Sequence, residues 1–396
     1  MNAIGVLPGP TGPRLAERMF LGHKPSDRLF SLFKKFPVLA RLWRQLISQW
    51  RERVMEVLSR FTRDRTALSH SFFGGQPIGM IADFRCGLSD SHNHGRTVMR
   101  LQFGGGAVIY KPRPGDGEWE WGSLLEWMNA QSFKPRLRAG QVLRRKGYCW
   151  MEWIAVAPCK SGAAARRFYE RIGGMIAAAY LLKAVDCHRD NLIASGEDPV
   201  LVDADALWHI SPATRAQTPL DLLYRTGFLQ NSNPRSLQSR SSVLGRTNAG
   251  KHVARIGTKP LSAVQYEREI VSGFRRAWRC LLGTTGRRNA FLRRLRRVRS
   301  RERRWIYWAT EKYAAIREAS IQPVALRSGF ERDQLITSLC TRSAATSTLT
   351  EVETNCLKRL DIPYFILKAN EEMAPRNGVP LEKAVEALRR ALRSGA

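Results

Sequence analysis

Lys183 to His209 reads KAVDCHRDNLIASGEDPVLVDADALWH, and the spacing of its carboxylates and amide governs how the rest of the chain is understood. Asn191 stands five residues after Asp186, and Asp203 follows a Gly196-Glu197-Asp198-Pro199 turn and the apolar run Val200-Leu201-Val202. The order is loop, turn, short buried strand, carboxylate. Phosphoryl-transfer sites use such an arrangement for a chemical reason. One Asp accepts the proton of the incoming hydroxyl, while an Asn and a second Asp offer hard oxygens to Mg²⁺ bridging ATP phosphates. His188-Arg189-Asp190 offers a rival frame, but five residues beyond Asp190 stands Ser195, a poor metal ligand, so the spacing favours Asp186. Taken alone, the pattern also fits a capped turn leading into a strand.

Upstream, Arg100 to Arg113 reads RLQFGGGAVIYKPR: an alternating strand, glycines at 104 to 106, then a second alternating strand carrying Lys111. Period and turn chemistry predict a β-hairpin. A strand lysine in this setting neutralises ATP phosphates when a carboxylate from a following helix tethers it. Glu126, in the helical pattern WGSLLEWMNA, is the expected tether. Without such a partner Lys111 reads as an ordinary exposed strand lysine.

The combination then becomes recognisable. LSDSHNHGRTVMRLQFGGGAVIYKPRPGDGEWEWGSLLEWMN, YCWMEWIAVAPC, DCHRDNLIASGEDPVLVDADALWH and DLLYRTGFL closely resemble the dehydratase domain of class II lanthipeptide synthetases. FPVLAR at 36–41 with Trp50, Arg60-Phe61 and Asp64-Arg65 resemble its helical lead-in, and LSAVQYEREIVSGFRRAW, RRWIYWATEKYAAI and KRLDIPYF its later helices. The likeness runs in order over roughly residues 36 to 370. It implies an α+β, lipid-kinase-like two-lobed fold with a helical N-terminal cap and a helical C-terminal elaboration. It also implies an activity: ATP-dependent phosphorylation of Ser and Thr in a ribosomally made precursor peptide with a leader, then elimination of phosphate to leave dehydroamino acids.

Carried over by this resemblance, the catalytic positions fall on Asp90 and His92 in DSHNHGR, Lys111 in YKPR, Asp186, His188 and Asn191 in DCHRDN, and Asp203 in LVDAD. The elimination pair falls on Arg304 and Thr310 in RRWIYWAT. A guanidinium fork suits a departing phosphate, which it grips through two hydrogen bonds. Either His92 or Lys111 is the expected carrier of the α-carbon proton. Outside the resemblance, His92 and His188 read as packing histidines, Thr310 as a helical surface residue, and Arg304 as one charge in an arginine run. Two departures stand out: Asp203-Ala204-Asp205 where the family has Asp-x-Glu, and Trp308 where another basic residue is expected. No zinc cyclase is expected, because Cys86, Cys149, Cys159, Cys187, Cys280, Cys340 and Cys356 show no CxxC spacing. Their odd number, without a secretory signal, suggests reduced thiols and a cytoplasmic protein.

Length and composition allow one large core or several subdomains. The partition expected along the chain is a flexible N-terminus at 1–26, a helical cap at 27–77, a smaller lobe at 78–157, a larger lobe at 158–300 and a C-terminal helical region at 301–396. The polar stretch 231–252 reads as a peptide-contacting loop, and 343–350 as a Ser/Thr-rich break between helices. The longest apolar stretch, Met175 to Val185, is too short to cross a bilayer, so no membrane partner is expected.

The formal charge of +31, densest in RRNAFLRRLRRVRSRERR at 287–304, raises a nucleic-acid partner. That reading is disfavoured, because Leu292, Leu295 and Val298 give the run an apolar face for docking and no nucleic-acid motif accompanies it. Three functions therefore compete: a peptide dehydratase working beside separate tailoring enzymes, a kinase without elimination acting on a peptide or small molecule, and a non-catalytic basic peptide-binding scaffold.

Overall fold

The computed structural model describes residues 25–209, 218–230, 242–244, 250–298, 302–341, 347–368 and 379–394. Expectations for residues 1–24, for most of the 231–252 loop and for 343–346 lie outside them. In chain order come α1 (Pro25–Lys35), α2 (Pro37–Phe72), β1 (Asp83–Arg85), β2 (Met99–Phe103), β3 (Gly106–Lys111), α3 (Asp116–Ala130), β4 (Val142–Arg145) and β5 (Tyr148–Glu152). Then follow α4 (Gly162–Leu181), β6 (Leu192–Ser195), β7 (Asp198–Leu201), α5 (Pro219–Tyr224), β8 (Arg255–Ile256), β9 (Lys259–Pro260), α6 (Glu267–Leu282) and α7 (Thr285–Val298). The chain continues through β10 (Glu302–Trp305), α8 (Thr310–Ala319), α9 (Gly329–Thr341), α10 (Ser347–Lys358), β11 (Phe365–Lys368) and α11 (Leu381–Ser394). The fold is mixed α+β with small antiparallel sheets.

Two compact units emerge, and they cut across the sequential segments 27–77 and 301–396. One unit comprises Arg60–Ser89, Thr97–Tyr307 and Tyr364–Ala396. Its five-stranded antiparallel sheet runs β1-β2-β3-β5-β4. The expected hairpin is there: Met99 faces Tyr110 and Phe103 faces Gly106, with the turn at Gly104-Gly105. Met99, Leu101 and Phe103 alternate inward on β2, and Phe61 of α2 stacks on Phe103 with ring centroids 5.2 Å apart.

α4 carries a nearly continuous apolar surface into the main core and packs on α6. Ser161 caps α4, its hydroxyl accepting from Ala164 N at 3.2 Å, which satisfies one of the free amides of the first turn. The basic helix α7 docks as its pattern requires, although the seat is made by Phe291 and Leu295, both buried, with Phe291 stacked on Trp127 at 6.1 Å. Leu292 is half-buried, and the side chain of Val298 lies outside the described residues.

The other unit comprises residues up to Ser59, Asp90–Arg96 and Trp308–Pro363. Pro37 opens α2, where the missing N–H costs no helical hydrogen bond, and the same proline ends α1 at Lys35 because residue 36 is forced out of the helical region. Val38, Leu42 and Leu326 form one small core, while Tyr313, Ile316, Ile336, Cys340, Leu357 and Ile362 form another. Arg332, with no exposed surface, donates to the carbonyls of Ser320 and Lys358 at 2.9 and 3.0 Å.

All seven cysteines are free thiols, and among the described residues no helix is long and apolar enough to cross a membrane. Within the larger unit, α2 is pinned to the sheet by Asp64. Its carboxylate accepts from Tyr148 Oη at 2.6 Å, Trp150 Nε1 at 2.9 Å and Arg145 Nε at 2.9 Å. Burial alone would raise the Asp64 pKa, but these donors outweigh it and leave the group below the usual carboxylate range. Stability from Asp64 is therefore present above its unfolded pKa and is lost as pH falls through the lower folded value. Asp64→Ala is expected to lose about 3 kcal/mol in denaturant unfolding at neutral pH, with the gap to wild type closing in strong acid.

Candidate active site

The stretch Lys183 to His209 folds as its pattern implies. Leu192 pairs with Leu201 and Ser195 with Asp198, so β6 and β7 form a hairpin turning at Gly196-Glu197. Val202 N donates to the Asn191 carbonyl at 2.8 Å, which brings Asp203 beside the loop that carries Asp186 and Asn191. Asp186 has a left-handed backbone, φ 65°, sparsely populated by non-glycine residues but among the least costly for Asp and Asn.

Asn191 Nδ2 donates to the Asp186 carbonyl at 2.8 Å, which closes the loop and turns the amide oxygen away from that carbonyl. His188 Nε2 stands 3.1 Å from Asp186 Oδ1. Its Nδ1 accepts from Asp190 N at 3.2 Å, so the proton of the neutral ring sits on Nε2 and points at Asp186. Burial opposes charge on His188, but the hydrogen bond and charge of Asp186 prevail and raise its pKa.

The strand lysine Lys111 is tethered by a carboxylate other than the expected one. Lys111 Nζ donates to Glu118 Oε1 at 2.7 Å and to the Val202 carbonyl at 2.6 Å, and lies 3.8 Å from Asp203 Oδ1. Glu126 is exposed on the outer side of α3, two turns further along, and is not the tether. The helix starts at Asp116, five residues before the apolar pattern becomes obvious, and its first turn supplies Glu118. The Pro-Gly-Asp-Gly-Glu sequence at 114–118, with acids in the first turn, is the start signal that locates it.

Gly117 allows this approach. A Cβ there would collide with the Ala204 carbonyl, so only glycine lets the first turn of α3 lie against the 203–205 backbone.

Arg113 and Asp205 complete the cluster. Arg113 Nη2 donates to Asp203 Oδ1 at 2.6 Å and to Glu118 Oε1 at 3.1 Å, and its Nε lies 3.5 Å from Asp205 Oδ2. Arg304 Nη1 lies 3.4 Å from Asp186 Oδ2 and 3.5 Å from Asp205 Oδ2, with its guanidinium 5.2 Å above the Tyr364 ring. Tyr364 Oη donates to Asp205 Oδ2 at 3.3 Å. The strand pairing β10·β11 sets Arg304 in place, and its neighbour Arg303 turns the other way to a buried ion pair with Glu120.

Three cations (Lys111, Arg113, Arg304) thus face four carboxylates (Glu118, Asp186, Asp203, Asp205). Burial would raise both Asp203 and Asp205. Arg113 and Lys111 drive Asp203 well below the carboxylate range, whereas the neighbouring Asp203 charge leaves Asp205 above it. The proton that this pair takes up on acidification goes first to Asp205.

Among the described residues no three His, Cys, Asp or Glu side chains converge as a metal cage. A hydrated Mg²⁺ needs no such cage, because it keeps several waters and takes one or two protein oxygens beside substrate phosphates.

Asp90, His92 and Thr310 fall in the other unit. Asp361, buried there, accepts from His94 N at 2.7 Å and Gly95 N at 3.0 Å, clamping the loop around Asp90 and His92. His92 Nδ1 meets the Ile362 carbonyl at 2.7 Å; a carbonyl only accepts, so Nδ1 carries the proton and Nε2 is the basic nitrogen. Asp90 pairs with Arg317 at 3.3 Å. Thr310 is the half-buried first residue of α8, and Lys312 lies 3.1 Å over the Trp308 ring. Glu118→Ala strands Lys111 in a buried site and is expected to cost about 3 kcal/mol in denaturant unfolding, whereas Glu126→Ala should change stability by less than about 0.5 kcal/mol.

A family model described as a domain of unknown function, DUF4135, matches residues 36–252 and 236–368. The chain is also 25% identical over 191 residues to the Lacticin 481/lactococcin biosynthesis protein LcnDR2 of Lactococcus lactis subsp. lactis. That match takes in 44% of this chain and 20% of LcnDR2, so the chain spans about a fifth of the length of this relative. With the family model covering the sheet, the Asp186–Asn191 loop and Arg304 alike, the chain belongs to the DUF4135 family.

Proposed function

We propose that this protein dehydrates Ser and Thr residues of a ribosomally made precursor peptide, phosphorylating the hydroxyl from ATP and then eliminating phosphate, on a lipid-kinase-like arrangement of the sheet and catalytic loop. The observation that carries the proposal is the convergence of Lys111, tethered by Glu118, with Asp203 and with an Asp186 loop closed by Asn191, all beside Arg304. Kinship with a lacticin 481 biosynthesis protein supports a precursor-peptide substrate.

Within this reading Asp186 accepts the proton of the peptide hydroxyl as its oxygen bonds to the γ-phosphorus and ADP departs. His188 holds the Asp186 carboxylate in place. Lys111 neutralises phosphate charge, and Asn191 and Asp203 would hold Mg²⁺, which when bound adds charge compensation at the phosphates. In the second step the Cα proton leaves, the Cβ–O bond breaks, phosphate departs and a Cα=Cβ bond forms. Arg304 grips the departing phosphate, and the resemblance gives Thr310 a part in the same step. For the Cα proton the resemblance offers His92, basic at Nε2, and Lys111, which donates to Glu118 and Val202. Asp90 belongs to the same loop.

Mass spectrometry of a candidate precursor tests the reading. Wild type is expected to remove water. Arg304→Gln should slow elimination about a hundredfold and accumulate phosphopeptide. Asp186→Asn should slow phosphorylation about a thousandfold. Phosphopeptide as the end product of wild type would indicate a kinase without elimination, and an unmodified but retained peptide would indicate a scaffold.

A further inference from the structure

We propose that Arg113 guards the metal end of this site: its guanidinium holds Asp203 until a divalent cation claims the carboxylate, and then turns to the phosphates as a positioning residue. The inference rests on the phosphoryl-transfer reading above.

The geometry singles out Arg113 among the three cations. Its Nη2 makes the shortest contact to Asp203, 2.6 Å to Oδ1, while Lys111 stands 3.8 Å from the same oxygen and is already committed to Glu118 and the Val202 carbonyl. Arg304 approaches Asp186 and Asp205 instead. Neutralisation of Asp203 therefore falls first to Arg113.

Mg²⁺ binds oxygen at about 2.0–2.1 Å in a near-octahedral shell. A carboxylate whose charge is already compensated by a guanidinium on Oδ1 offers less to that shell while the guanidinium stays put, so the two cations compete for Asp203. The fork has somewhere to go. Glu118 Oε1, 3.1 Å away, remains a second anchor, and the Arg113 Nε, buried, has no hydrogen-bond partner among the described residues. A guanidinium whose Nε makes no hydrogen bond and only a long ion pair to Asp205, two residues beyond the strand lysine, is suited to two hydrogen bonds on a phosphate. Asp203 would pass from Arg113 to the metal while Arg113 passes from Asp203 to the nucleotide, so loading of either ligand favours the other.

Mn²⁺ binding to the full chain, followed by electron paramagnetic resonance without nucleotide, reads this exchange directly. Arg113→Gln is expected to tighten Mn²⁺ by about tenfold, and Arg304→Gln by less than about threefold, since only the first removes a direct competitor for Asp203. The same Arg113→Gln protein should bind Mn²⁺–ATP about tenfold more weakly than wild type. An unchanged Mn²⁺ affinity in Arg113→Gln, or an equal gain in both variants, overturns the proposal; equal gains would mean that only the overall field of the pocket matters. Should Arg113→Gln fail to fold, Arg113→Lys takes its place: a gain of about threefold supports the exchange and no gain overturns it. Wild type and Asp203→Asn separate this failure from that of the underlying reading. If wild type binds Mn²⁺–ATP and Asp203→Asn does not, phosphoryl transfer stands whatever Arg113 does; if wild type binds neither metal nor nucleotide, both fall.

Discussion

The close approach of the first turn of α3 to the 203–205 backbone sets the conditions for everything else in the larger unit. Gly117 lets two backbones touch, and the neighbouring residue then has nowhere to send its carboxylate except toward Lys111 and Arg113. Once Glu118 is buried there, a cation must accompany it, because an unpaired buried carboxylate is costly. Each further charge is drawn in by the previous one: Arg113 by Glu118 and Asp203, Arg304 by Asp205 and Asp186.

The resulting network is dense but uneven. Asp203 is strongly favoured as the anion, whereas Asp205 carries the cost of standing beside it and is the easier of the two to protonate. Tyr364 and Arg304 lie against Asp205 and compensate part of that cost. Two carboxylates one residue apart on the same loop thus differ in character through their neighbours alone, without any difference in chemistry. The Asp203-Ala204-Asp205 spacing leaves the second carboxylate within reach of both guanidiniums.

Much of this was legible in the sequence where the signal is local. The glycine-turn hairpin, the β6–β7 hairpin and the position of Asp203 after it follow from alternation and turn residues, and the structure has them. Glu126 reads as the tether of Lys111 in the sequence because apolar periodicity begins well after the helix does, whereas the first turn of α3, which supplies Glu118, is written in glycines and acids. Arg113 and Asp205 sat beside residues already chosen, yet nothing in their spacing separates a site charge from a solvated one. Asp361 was illegible for another reason. It clamps a loop more than two hundred and sixty residues away in the chain, a pairing that only tertiary structure creates. The basic helix shows the same division: its docking face was evident, but Phe291 carries more of it than the leucine pattern suggested.

The backbone at Asp186 has an evolutionary implication. Its carboxylate is carried on a left-handed residue, a conformation that most side chains resist and that Asn, Asp and Gly tolerate. Under the proposed function, chemistry and stereochemistry therefore filter this position independently. A descendant that lost its activity would be released from the first filter but not from the second, and drift at 186 would be channelled toward asparagine or glycine. Such a residue at this position in a kindred chain would be the fossil of an abandoned catalytic role.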